Sequence, residues 1–333
     1  MLRLPDSWVW DFWIVDDGAQ YHAFFLFASR ALHDPEARHD RASIGHAVSD
    51  DLVTWTRVAD ALVRSDGPAW DDLATWTGSI VRDDDGTWCM LYTGATLTPA
   101  GNVQRIGLAT SPDLVTWTKQ PGPIAGPDPR WYELLDGSWT DEAFRDPWVF
   151  RDPSGKGWHM LITARANHGE LRERGVIGHA TSDDLRSWTV RPPLTEPRHG
   201  FAQFEVPQYV EVDGQGVLIV NCGRSELAEW RRARHPDGGG IWAVPADGPL
   251  GPYDFDRAQP LADPGLYVGK VVTERGTGRH VLLAFRNVDD RGRFVGEIVD
   301  PRPVGLREGR LVVLDDRPAP RPGGRTGVAA VPV

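Results

Sequence analysis

The sequence is poor in cysteine and lysine, and it lacks long apolar runs, long basic runs and extended helical periodicity. Each shortage removes a class of protein. Two cysteines, Cys89 and Cys222, cannot build a disulfide framework and show no metal-ligand spacing; set among apolar, strand-like neighbours, both are expected as buried thiols. No apolar stretch reaches the roughly 18 residues that suggest a membrane span. The opening residues, Met1 to Trp13, lack the basic and apolar regions of a signal peptide, so the chain as written is expected in the cytoplasm. Only three of the 36 basic residues are lysines, the arginines are scattered, and the formal net charge is −11. That balance repels phosphate backbones and anionic lipid, which argues against nucleic-acid and membrane partners. The best helical pattern is short, Ser225 to Arg234.

What the chain does have is 15 Trp, 36 Gly and 27 Pro, a combination that suits an all-β fold with a ligand site walled by aromatic faces. An element ending Ser-x-Asp-Leu-x-x-Trp-Thr occurs three times, as HAVSDDLVTWT (46–56), LATSPDLVTWT (108–118) and HATSDDLRSWT (179–189). Its Trp residues, Trp55, Trp117 and Trp188, are 62 and 71 residues apart, the period of a repeated supersecondary unit. The Ser-x-Asp group is expected to turn the chain by side-chain-to-backbone hydrogen bonds while Leu and Trp pack back on the sheet. PADGPLGPYDF (245–255) is a looser fourth copy. Between the copies, strand-like pairs flank Asp83 to Gly86, Asp152 to Gly155 and Asp213 to Gly216. At roughly 65 residues per unit the chain holds about five, which predicts a single-domain, five-bladed β-propeller over 1–333. In such a fold the innermost strands converge on one axis, so site residues should come from the first strand of different blades.

Three acids meet that rule: Asp11 in Trp-Val-Trp-Asp-Phe-Trp, Asp146 in Phe-Arg-Asp-Pro-Trp, and Glu205 in Gln-Phe-Glu-Val-Pro. Each stands among aromatic or apolar neighbours, company that a solvated acid does not need. Asp-Pro by itself carries little, since it occurs six times and commonly marks turns. Glycoside cleavage needs one carboxyl to protonate the leaving oxygen and another to act on the opposite face of an oxocarbenium-like sugar. A third carboxylate beside an arginine can hold sugar hydroxyls, and Trp faces can stack on the sugar.

In order along the chain, these residues resemble the propeller glycosidases of glycoside hydrolase families 32 and 68. Trp10-Asp11-Phe12-Trp13, ahead of Tyr21-His22, is similar to the levansucrase Trp-Asp-x-Trp segment, and Trp76-Thr77-Gly78-Ser79 is similar to the Phe/Trp-Ser-Gly-Ser segment that lines the sugar pocket. Phe144-Arg145-Asp146-Pro147 resembles the Arg-Asp-Pro motif, and Glu205-Val206-Pro207 the invertase Glu-Cys-Pro. The resemblance implies Asp11 as nucleophile, Asp146 as transition-state stabiliser and Glu205 as acid/base. Trp10, Trp13, Trp76, Ser79, Arg145 and Gln203 would surround a carbohydrate substrate, most simply a β-fructofuranoside, with no cofactor or metal required. The sequence departs from invertases at the missing Asn and Pro-Asn-Gly around Asp11, at Leu26 in place of Gln, and at Val206 in place of Cys. At this length the C-terminal β-sandwich usual in family 32 is not expected in the chain as written. An inverting enzyme resembling family 43, a phosphorylase and a non-catalytic sugar-binding propeller are the competing readings.

Overall fold

The computed structural model describes residues 1–314; the expected domain runs to 333, and residues 315–333 lie outside the described residues. Five antiparallel sheets follow one another in chain order. The first holds β1 (Ser7–Asp16), β2 (Tyr21–Ser29), β3 (Ser43–Ser49) and β4 (Thr56–Arg57). The second holds β5 (Ala74–Arg82), β6 (Trp88–Thr98), β7 (Gly101–Ser111) and β8 (Thr118–Lys119), with β9 (Asp141–Glu142) added parallel to β7. The third holds β10 (Phe144–Arg151), β11 (Trp158–Arg165), β12 (Gly175–Ser182) and β13 (Thr189–Arg191). The fourth holds β14 (Glu205–Val212), β15 (Gln215–Cys222), β16 (Gly240–Ala246) and β17 (Gln259–Pro260). The fifth holds β18 (Leu266–Thr273), β19 (His280–Arg286), β20 (Arg302–Arg307) and β21 (Arg310–Val313).

The innermost strands β1, β5, β10, β14 and β18 neighbour one another in a ring, with β1 against β18. Leu2 fastens the ring by exchanging backbone hydrogen bonds with Ile298 at 2.9 and 3.0 Å. The chain is a five-bladed β-propeller. The one α-helix among the described residues, α1 (Glu229–Arg234), falls inside the expected 225–234 segment, and no helix there is long and apolar enough to cross a membrane.

The repeated element works as its sequence suggests. Ser49 Oγ accepts from the Asp51 amide at 3.2 Å, and Asp51 Oδ1 accepts from the Val53 and Thr54 amides at 2.9 and 2.7 Å. Trp55 Nε1 then closes on the Leu52 carbonyl at 3.1 Å. Ser111, Asp113 and Trp117, and Ser182, Asp184 and Trp188, repeat this network at the same turn between the third and fourth strands of their blades. The Leu in each copy is nearly inaccessible and takes a positive φ of 61 to 63°, a conformation those side-chain bonds and the packing over-determine. Trp117 sets its edge against Phe24 of the preceding blade at 5.7 Å, so the repeat also wedges blades together. At 245–255 the connection also bends back into a short strand, but without the Ser-Asp network. Asp213-Gly214 forms a two-residue hairpin with φ of 50° and 79°, the pattern a type I′ turn requires. Cys89 and Cys222 are free and fully buried.

All five innermost strands carry a bulge at the same level of the ring. The ladder slips between Trp10 and Phe12, Trp76 and Gly78, Arg145 and Trp148, Glu205 and Gln208, and Tyr267 and Lys270. A bulge bends its strand and re-aims the unpaired side chain. Here Asp11, Thr77 and Asp146 are among the unpaired residues, and with Arg145, Glu205 and Tyr267, which flank the slips, they line a common cavity at one end of the axis.

Candidate active site

Polar residues on the second strands pin successive bulges together. Thr93 Oγ1 accepts from the Asp146 amide at 2.9 Å, Thr163 Oγ1 from the Val206 amide at 3.1 Å, and Asn221 Oδ1 from the Gly269 amide at 3.1 Å. Each bond runs from one blade to the next. Asp146 and Val206 hold φ of 56° and 49°, rare for non-glycine residues, and this pinning is what keeps them there.

The cavity these bulges surround has a volume of about 650 Å³ and is open on one side. Asp11 and Glu205 keep part of their surface open to it, whereas Asp146 is only 4% exposed at its floor. Asp11 Oδ2 accepts from the Thr77 hydroxyl at 2.7 Å. Glu205 is gripped at both oxygens: Arg145 Nη2 donates to Oε1 at 2.5 Å and the Tyr267 hydroxyl donates to Oε2. Arg145 also reaches Asp141 at 3.1 Å, Gln104 at 3.2 Å and Gln203, while its Nε lies 3.5 Å from Asp146 Oδ2. The guanidinium therefore orients Glu205 more directly than it orients Asp146.

Burial and mutual repulsion shape the charges. Burial, reinforced by Asp146, pushes the Asp11 carboxyl up to about 7. Burial likewise lifts Asp146 to about 6, with Arg145 opposing the rise and Glu205 adding to it. Glu226 rises to about 7 through burial and the nearby Glu205. Burial works against the Arg145 charge, but Asp141, Glu205 and Asp146 outweigh it and drive its pKa up. His39 falls to about 3 through burial and the neighbouring Arg38 and Arg145, so it stands neutral beside Trp10 and Trp76. The result is a ring of acids around one committed guanidinium, with aromatic faces at the rim.

Of the expected site residues, Asp11, Asp146, Glu205, Trp10, Trp76, Arg145 and Gln203 line this cavity, and Trp13 and Ser79 do not. Those two line a separate cavity of about 80 Å³ farther along the axis, with Lys270. The reason is strand geometry: at about 3.3 Å per residue, Trp13 stands some 10 Å beyond Trp10. Trp13 stacks on Phe24, and Ser79 Oγ accepts from the Val149 amide at 3.1 Å, so both are placed as scaffold. Thr77, Tyr267, Glu226, Arg38 and His39 are additional lining residues. Thr77 sits inside a motif already noticed, and Tyr267 follows from asking what the fifth blade's first strand supplies. Arg38, His39 and Glu226 come from short helical turns outside the strands and leave no periodic signal.

The pattern of the glycosyl hydrolases family 32 N-terminal domain matches residues 13–236, a span that takes in Asp146 and Glu205 and begins two residues after Asp11. The chain belongs to glycosyl hydrolases family 32. Membership of family 32 decides against the family 43 reading. Among curated relatives, an insoluble-isoenzyme β-fructofuranosidase of Arabidopsis thaliana is 30% identical over 217 residues, 61% of this chain and 36% of that protein. A 6(G)-fructosyltransferase of Asparagus officinalis is 30% identical over 208 residues, 60% of this chain and 31% of that protein. The chain thus spans about a third of the length of these curated relatives. The solved inulosucrase of Halalkalicoccus jeotgali, bound to kestose, superposes with a TM-score of 0.74 at 23% identity, covering 94% of this chain and 90% of that one. That likeness bears on the fold.

Proposed function

We propose that this family 32 protein is a retaining glycosidase or transglycosylase acting on β-fructofuranosides. The observation that carries the reading is the meeting of Asp11, Asp146 and Glu205, each from the bulge of a different blade, in one cavity large enough for a small sugar. Asp11, braced by Thr77, attacks the anomeric carbon as Glu205 protonates the departing oxygen. A covalent glycosyl-enzyme forms, and Glu205 then takes a proton from water or from an acceptor hydroxyl, releasing the sugar with its configuration kept. Asp146 accepts from ring hydroxyls as positive charge develops on the sugar, while Trp10 and Trp76 wall the pocket. Arg145 and Tyr267 fix the Glu205 carboxyl in both half-reactions. The names of the relatives, which include a hydrolase and a fructosyltransferase, support this substrate class.

The test is turnover of sucrose, kestose, inulin, levan and arabinan by the purified protein, with the first-formed anomer read by NMR. Release of β-fructofuranose, or its transfer with retention, is the expected outcome. An inverted product, or activity confined to arabinan, overturns the assignment; tight sugar binding without turnover would mark a non-catalytic binding protein instead.

A further inference from the structure

The five bulges divide the innermost strands into a catalytic end and a far end. On β18 the division separates two unlike groups: Tyr267 turns to Glu205 in the catalytic cavity, while Lys270, past the bulge, lines the small cavity at the other end. We propose that Lys270 is a positioning residue for this chemistry, its ammonium acting from beneath as the counter-charge of the Asp11 and Asp146 carboxylates. The inference rests on the roles given above to those two aspartates.

Lys270 is only 5% exposed, and its Nζ lies 3.5 Å from the Val206 carbonyl. On its other side the same residue, Val206, points its amide at Asp146 Oδ2, 3.3 Å away. The bulge that presents Glu205 is thus held between the ammonium and the floor carboxylate. An ammonium taken out of water without a direct ion pair is costly unless opposite charge lies near. The charges that answer it are Asp146 and Asp11: burial draws the Lys270 pKa down to about 8 while these two resist the fall, so the group stays cationic at neutral pH.

Other charges are already committed or stand away. Arg145 is spent on Asp141, Gln203 and Glu205, and Arg38 acts on Asp11 from the rim. The remaining titratable groups of β14, Tyr209 and Glu211, bond to each other, β16 carries none, and those of β15 and β19 (Cys222, His280 and Arg286) stand at strand ends. Asn221 and Gln208, the polar neighbours, are bonded to backbone. Residue choice agrees. The chain uses lysine three times in all, and one stands here, where a compact ammonium on a flexible stem reaches the Val206 carbonyl.

The scarcity of lysine makes the proposal measurable. Protein labelled at lysine Cε gives three NMR signals, and the Lys270 signal is identified by its loss in Lys270→Met. In wild type it should titrate below the ordinary lysine value of about 10.4, and in Asp11→Asn and in Asp146→Asn its midpoint should fall further, by about half a pH unit or more. This readout needs no substrate, so it stands apart from the question of which sugar is cleaved. With whichever substrate turns over, Lys270→Met should move the acid limb of kcat/KM upward by half to one pH unit, a three- to tenfold loss below the limb. Lys270→Ala should regain its pH profile in ethylammonium and not in ethylene glycol, which fills space without charge. A Lys270 midpoint indifferent to both aspartate substitutions, or a Lys270→Met enzyme with an unmoved acid limb, would overturn the proposal and leave Lys270 as filler.

Discussion

The Thr163 hydroxyl lies 2.8 Å from Asp146 Oδ2 and 3.1 Å from the Val206 amide, so one β11 side chain serves both the floor carboxylate and the bulge that presents Glu205. A hydrogen bond donated to a carboxylate favours its charged form, and losing one buried partner of a charged group costs about 1.5–3 kcal/mol. Thr163→Val, close in shape, is therefore expected to lower kcat/KM by about tenfold or more and to shift its acid limb to higher pH. Thermal unfolding and a pH profile of initial rates, measured together, check this.

On the proposed mechanism Asp11 is the nucleophile and Glu205 the acid/base; Asp11→Asn and Glu205→Gln keep side-chain volume and replace one carboxyl oxygen with an amide nitrogen. Removing the nucleophile should cost about 10⁴-fold or more in kcat, and removing the acid/base about 10²- to 10⁴-fold. Azide should restore turnover in Glu205→Gln with an activated leaving group, because that enzyme still forms the glycosyl intermediate. A near-normal rate in either variant would remove its residue from the mechanism.

In the proposed mechanism Asp11 must be ionised to attack, and burial with the nearby Asp146 holds it up at about 7. The acid limb of kcat/KM should therefore fall near pH 6–7 rather than near 4, read as a property of the coupled Asp11–Asp146 pair. The same shift has a stability consequence. A carboxyl whose folded pKa lies above its unfolded value contributes stability that is full at low pH and is lost as pH rises through the folded value. Asp11→Asn, which cannot charge, should accordingly melt higher than wild type at pH 8, by roughly 2–5 °C, and show little advantage at pH 4.

Gly78 sits at the bulge beside Thr77, where a Cβ would stand 2.2 Å from the Leu91 carbonyl oxygen and 3.0 Å from the Tyr92 Cα. Both are backbone atoms and cannot swing aside. Gly78→Ala should lower the melting temperature and displace Thr77 from Asp11, reducing kcat more than it raises KM; circular dichroism melts and steady-state kinetics separate the two effects.

Much of this architecture is legible along the chain. Repeated Ser-x-Asp-Leu-x-x-Trp turns need only side chains within six residues of one another, and strand alternation marks the pairs between them. The acids of the site also show themselves, because a carboxylate among Trp and Phe at a strand pattern is costly unless something uses it. Membership of the candidate site was less legible: Trp13 and Ser79 belong to the same motifs as Asp11 and Thr77, yet line a separate cavity.

Sequence alone determined the blade repeat and the turn chemistry and marked the three acids as candidates, since each is written in residues close together along the chain. Tertiary structure alone decided which side chains share a cavity. The slip at each bulge, the Thr and Asn side chains that pin one blade to the next, and the arrival of Glu226, Arg38 and His39 from outside the strands all join residues remote in sequence. Their physical cause is closure of the ring: only when β1 packs against β18 do five separate strand levels become a single floor, and only then do burial and repulsion set the charges of the acids around the cavity.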